Sequence, residues 1–165
     1  MSAIPQAYPS RSLLYPHPSM GVGEDAKRLE KLWAEFRRPF LDSFSLANAQ
    51  QPALEELCAL MEECCQADWD GYGAQPVSFE AYQNAIQFLE ALPRGVPTPQ
   101  VSAEPDGEVS FEWYAAPNLV YSVSVGPNNE VTYAGLFGAS RTYGTELLDY
   151  EIPDSVLRCI KRVTR

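Results

Sequence analysis

The chain is poor in the residues from which most reaction centres are built. Its one histidine is His17, so a multi-histidine metal site is excluded and any imidazole acid–base chemistry would rest on that residue alone. The four cysteines stand at 58, 64, 65 and 159. Cys64 and Cys65 are adjacent and Cys58 lies two helical turns before Cys65, a spacing that suits neither a C-x-x-C zinc pair nor a disulfide staple. Small buried thiols in a reducing compartment are the reading that fits. The sequence also lacks a G-x-S-x-G nucleophile elbow and a G-x-x-x-x-G-K phosphate loop, and no cofactor or metal is expected. No apolar run approaches the length of a bilayer crossing. The opening stretch MSAIPQAYPSRSLLYPHPSM has no basic segment leading into an apolar block, so no secretory signal is read and a cytoplasmic location is expected.

Positive charge is the other shortage, and it is local. Residues 51–155 carry seventeen acidic side chains against two basic ones, Arg94 and Arg141, whereas residues 156–165 carry four basic and none acidic. A segment so anionic repels phosphate, which excludes direct binding along a nucleic-acid backbone. Its natural complement is a basic protein surface.

What the sequence does have is a core's worth of apolar residues, 45% of the chain, enough to exclude wholesale disorder. Residues 1–23 read as a Pro-rich extended arm with no apolar periodicity. Residues 24–92 form a helical part. Leu29, Leu32, Trp33 and Phe36 recur at helical spacing up to Pro39. A second helix runs from Pro52 to about Gln66, with Glu55 and Glu56 in its first turn and a stripe of Leu54, Leu57, Cys58, Met61 and Cys65. A third runs from Phe79 to Leu92, with Ser78 as N-cap and Tyr82, Ala85, Ile86, Leu89 and Leu92 inward.

From residue 99 to 150 the period switches to two. The segment VSAEPDGEVSFEWY predicts a hairpin turning at Pro105-Asp106-Gly107, with Val109, Phe111 and Trp113 alternating with Glu108, Ser110 and Glu112. LVYSVSV and EVTYAGLF follow: Leu119, Tyr121, Val123 and Val125 share one face, and Val131, Tyr133 and Phe137 share another. A weaker strand is expected around Thr142–Leu148. Residues 153–165 close the chain with a helix that buries Val156, Leu157, Ile160 and Val163. The order predicts a single α+β domain over 24–165: an antiparallel meander of four or five strands packed on helices.

Between the second and third helices stands Asp68-Trp69-Asp70-Gly71-Tyr72-Gly73-Ala74. A calcium loop needs a bidentate acid at its twelfth place, where this one has Phe79, and an oxygen ligand at the fifth, where it has Tyr72. A structural joint fits better. Gly71 and Gly73 give the reversal, Asp70 accepts loop N–H groups, and Trp69 and Tyr72 fasten the loop onto the core. Glu108 and Glu112 share a strand face and make a carboxylate pair of the kind a hydrolase uses, although acidic solvent faces are ordinary on half-buried sheets.

WDGYGAQP before a helix, VPTPQVSAEPDGEVSFEW, YSVSV with NNEVTYAG, and a closing EIPDSVLRCI together resemble a group of small uncharacterised bacterial proteins. That group shares a WDGxGAxP loop and a DGxVxFEW hairpin. The resemblance spans about Asp68 to Val163. It implies this α+β organisation, no assigned enzymatic activity, and an accessory role of the kind met in toxin–antitoxin or defence neighbourhoods.

The functional expectation is therefore a non-enzymatic acidic module that binds a basic protein, as an antitoxin or immunity factor would. Glu108, Glu112, Glu130, Glu146, Asp149 and Glu151 are its expected surface acids, and Trp113 or Tyr114 its anchor. A DNA-mimicking inhibitor and a carboxylate hydrolase are the alternatives. Association with a second copy is left open.

Overall fold

Each helix begins and ends where local chemistry dictates, and the computed structural model shows how. It describes residues 49–149 and 151–165, together with Arg28 and Lys31, which are helical and exposed. The Pro-rich arm, the rest of the first expected helix and Tyr150 lie outside the described residues.

Helix α1 spans Gln51–Cys64 with Pro52 in its first turn, where a missing N–H costs nothing. No side chain caps it; instead Gln50 sends its amide to the Val96 carbonyl at 2.9 Å, tying the helix start to the segment after α2. Glu55 and Glu56 fall past the first turn, and Glu56 instead accepts the Val101 N–H at 3.3 Å. Cys64 is buried, while Cys65 is only half-buried. Helix α2 spans Phe79–Ala91 and is capped as expected, the Ser78 hydroxyl accepting Ala81 N–H at 3.1 Å. Phe88 lies at the centre of its buried face and stacks on Phe111, ring centroids 5.0 Å apart. Ile86, expected inward, is half-buried at the core's margin.

Five strands follow: β1 Gln100–Ala103, β2 Val109–Ala116, β3 Leu119–Val125, β4 Glu130–Phe137 and β5 Ser140–Leu147. They pair antiparallel in sequence order, the meander the period-two pattern predicts. Tight turns make this possible. Gly107 has φ +88°, and a Cβ there would stand 2.8 Å from the Pro76 carbonyl oxygen, so both conformation and space require glycine. Helix α3, Asp154–Val163, returns beneath the sheet and buries Val156, Ile160 and Val163 against β2, β3 and β4.

The register corrects one expectation. Val125 pairs with Val131, Val123 with Tyr133 and Leu119 with Phe137, so the two apolar sets of β3 and β4 form one continuous face rather than two. Helices α2 and α3 cover that face, and α1 packs against α2 and β1. Phe111, Val123, Val125, Tyr121 and Val131 are fully buried there, each worth roughly 1.5–3 kcal/mol of transfer free energy. No described helix covers the opposite face. Across it run a row of Ser102, Ser110, Ser124, Thr132 and Thr145 and a row of Gln100, Glu112, Ser122, Ala134 and Tyr143.

One group in the core is poorly matched. Tyr121 is fully buried and its hydroxyl makes no hydrogen bond of good geometry. Burial pushes its pKa far up, and the Cys159 thiol facing it adds to the shift. None of the four cysteines is in a disulfide.

Candidate functional site

The loop Asp68–Ala74 is built as a joint by its own backbone. Asp68 has φ +63°, and its N–H donates to the Ala74 carbonyl at 2.8 Å. The Asp68 carboxylate accepts Gly73 N–H at 2.7 Å. That of Asp70 accepts Tyr72 N–H at 2.8 Å and Ala74 N–H at 3.1 Å. Trp69 is half-buried, its indole N–H donating to the Gln75 carbonyl at 2.9 Å. The carboxylates are thus spent on holding the turn, and among the described residues no three His, Cys, Asp or Glu side chains converge as metal ligands would. Tyr72 departs from expectation. It does not fasten the loop but stands 94% exposed at its tip, because the positive φ values of Gly71 and Gly73 on either side swing it outward.

The joint is clamped to the first hairpin. Gln75 N–H donates to the Pro105 carbonyl at 2.8 Å, beside the close approach of Gly107 to Pro76. That contact places the loop at one end of the sheet, and the register brings more acid there. Ala103 lies opposite Val109, Val125 opposite Val131, and Glu130 opposite Leu147. The 104–108 turn, the 126–130 turn and the exit from β5 therefore share this end. Glu104, Asp106, Glu108, Glu130, Asp149 and Glu151 gather with Asp68 and Asp70, and the cation that comes nearest is Arg158, whose Nε donates back to the Asp154 carbonyl at 3.3 Å, at the start of α3. The Glu108 carboxyl is held above its ordinary pKa by burial first, then by Asp106, Glu104 and Glu130.

Several cations stand towards the far end. Arg141 lies next to the β4–β5 turn, opposite Leu136. Arg94 lies beyond the end of α2, beside the strap whose Pro97 carbonyl accepts the Trp113 indole N–H. Helix α3 starts at the acidic end, where Ser155 bonds Glu146, and runs to the other, where Arg162 covers the Phe137 ring at 4.2 Å. Arg158, Lys161, Arg162 and Arg165 line its exposed side. Acids predominate at one end of the strands, whereas the other mixes Arg94, Arg141 and the last turn of α3 with Glu55, Glu56 and Glu90.

Of the residues expected to form a binding surface, Glu108, Glu130, Asp149 and Glu151 are brought together. Glu112 is not: it sits in the middle of the sheet face opposite the helices and accepts the Ser122 hydroxyl at 3.2 Å. Four residues of strand separate it from Glu108, about 13 Å at ~3.3 Å per residue, wider than the ~5–9.5 Å of a hydrolytic carboxylate pair. Glu146 faces the helices and accepts the hydroxyls of Tyr133, at 3.0 Å, and Ser155. Its carboxylate is a fastening for α3. Trp113 is 3% exposed and its indole N–H donates to the Pro97 carbonyl at 2.8 Å, so it is a core residue and not an anchor. Tyr114 is exposed, as an anchor should be, but lies on the same face as Glu112, towards the far end of β2. The aromatic that does stand at the acidic end is Tyr72. Its signal was in the sequence: an aromatic flanked by two glycines is held at a loop tip rather than folded inward.

No protein-family model matches the chain, and no curated protein or solved structure is significantly similar to it. No helix among the described residues is long and apolar enough to cross a membrane.

Proposed function

We propose that the acidic end is a docking surface for a basic protein, of the kind an antitoxin or immunity-type factor presents to its target. The observation that carries this reading is the gathering of eight carboxylates from four chain segments at one end of the sheet. A fold that only needed solubility would disperse its acids among its bases. Here most of the sheet's and α3's bases stand towards the opposite end, and the pKa of the Glu108 carboxyl, raised first by burial, is raised further by repulsion from Asp106, Glu104 and Glu130. A cationic partner relieves that repulsion. Long-range attraction steers the encounter, and Tyr72, exposed on a rigid loop, supplies apolar area at small entropic cost.

The test is capture from host lysate by immobilised protein at low salt, run beside the variant Glu104→Lys, Asp106→Lys, Glu108→Lys, Glu130→Lys. The expected result is a protein of high pI, retained by the natural chain, released by salt, and absent from the variant. Capture of nothing, of an acidic protein, or of the same protein by both chains would overturn the reading.

A further inference from the structure

We propose that β5 pairs antiparallel with β5 of a second copy, joining two five-stranded sheets into one of ten, with Thr145 on the two-fold axis. The two margins of the sheet differ. At β1, helix α1 lies against the edge and Glu56 accepts the Val101 N–H. At β5, β4 is the one substantial neighbour among the described elements. The strand runs eight residues in unbroken register with β4 and has no proline, bulge or lysine; its one guarding feature is the inward-pointing Glu146, and that charge is bonded to Tyr133 and Ser155. The connection beyond it turns under the sheet, where Gln87 holds the Asp149 carbonyl at 3.1 Å, and no described element packs on the outer side of β5.

The side chains on this margin point to what covers it. Tyr143 is 84% exposed and Leu147 70%, and they stand on the same face of β5. Side chains directly opposite in an antiparallel pair share a face, so a two-fold register matches residues of like parity. With Thr145 on the axis, Tyr143 meets Leu147 of the other copy and Arg141 meets Asp149, each contact occurring twice. Moving the axis to Gly144 sets Arg141 against Leu147, and moving it to Tyr143 sets Arg141 against Thr145. Only the first register matches both the apolar pair and the charged one. The same two-fold reverses the molecule, so the acidic end of each copy lies beside the mixed end of its neighbour, which carries Arg141. The contact uses Asp149, at the border of the acidic end, and leaves the Glu104–Glu130 cluster and Tyr72 free.

A strand-to-strand contact of this length belongs to the small, weak class of interfaces, with dissociation in roughly the micromolar range. Sedimentation of the full chain at rising concentration in low salt is the experiment. The expected result is a reversible monomer–dimer equilibrium, weakened about tenfold by Arg141→Asp or by Asp149→Arg and restored when both reversals are combined. A monomer at every concentration, a dimer indifferent to the single reversals, or a double variant that fails to recover would overturn the proposal. Should a reversal unfold the chain, hydrogen exchange on the natural protein decides: β5 amides must gain protection with concentration, and unchanged exchange refutes the pairing.

Discussion

Asp70→Ala tests whether the DWDGYGA loop is a joint. One carboxylate oxygen of Asp70 holds two backbone donors, Tyr72 N–H at 2.8 Å and Ala74 N–H at 3.1 Å. A hydrogen bond to a charged acceptor contributes roughly 1.5–3 kcal/mol, but the loop borders solvent and water replaces part of what is lost, so a net cost of about 2 kcal/mol is expected. Asp70→Asn keeps a carbonyl oxygen in the same place and should cost about 1 kcal/mol. Urea unfolding followed by circular dichroism reads both: with a slope of roughly 2 kcal/mol per molar, the alanine variant's midpoint falls by about 1 M. Calcium at millimolar concentration should leave the natural chain's midpoint in place, because one oxygen of each carboxylate already faces N–H donors and no third acidic ligand converges with them among the described residues. An alanine variant as stable as the natural chain, or a midpoint that rises with calcium, would refute the joint and reinstate a metal loop.

Two further outcomes are expected. Tyr121→Phe removes a buried hydroxyl that has no well-formed bond and should raise stability by about 1 kcal/mol; a loss of similar size in urea unfolding would mean that Cys159 is a true partner. Glu108 has a folded-state pKa above its unfolded one, so the folded chain takes up this proton at higher pH, and the residue destabilises the fold at neutral pH while relaxing as pH falls towards the unfolded value. Glu108→Gln should therefore be more stable than the natural chain at pH 7, with the difference vanishing below about pH 4; urea midpoints at both pH values check the sign, and a variant less stable at pH 7 refutes it.

The meander, the helices after residue 50 and the Ser78 cap were legible in the sequence, because each rests on local periodicity or a single turn residue. Alternation also grouped Trp113 with Val109 and Phe111, and the core bears that grouping out. Its nomination as an anchor came from residue type alone, against its own pattern. Period two says which residues share a face within a strand but is silent on how one strand's faces match the next. Only the register, with Val125 opposite Val131 and Val123 opposite Tyr133, joins the β3 and β4 sets into one face. Phe88 escaped because helix stripes are broad and an aromatic one turn further round still reaches the core. The gathering of acids at one end could not be read from composition. It needs the pairing of three turns and the clamp between Gln75 and Pro105, all contacts distant in sequence or set by register.

The predominance of acids at one end has a consequence for motion before any contact is made. A particle with unevenly placed charge rotates in an external field, so near a charged body it turns until the attracted end leads. Arrival is then end-on, and the first collision already presents Tyr72 to a cationic visitor.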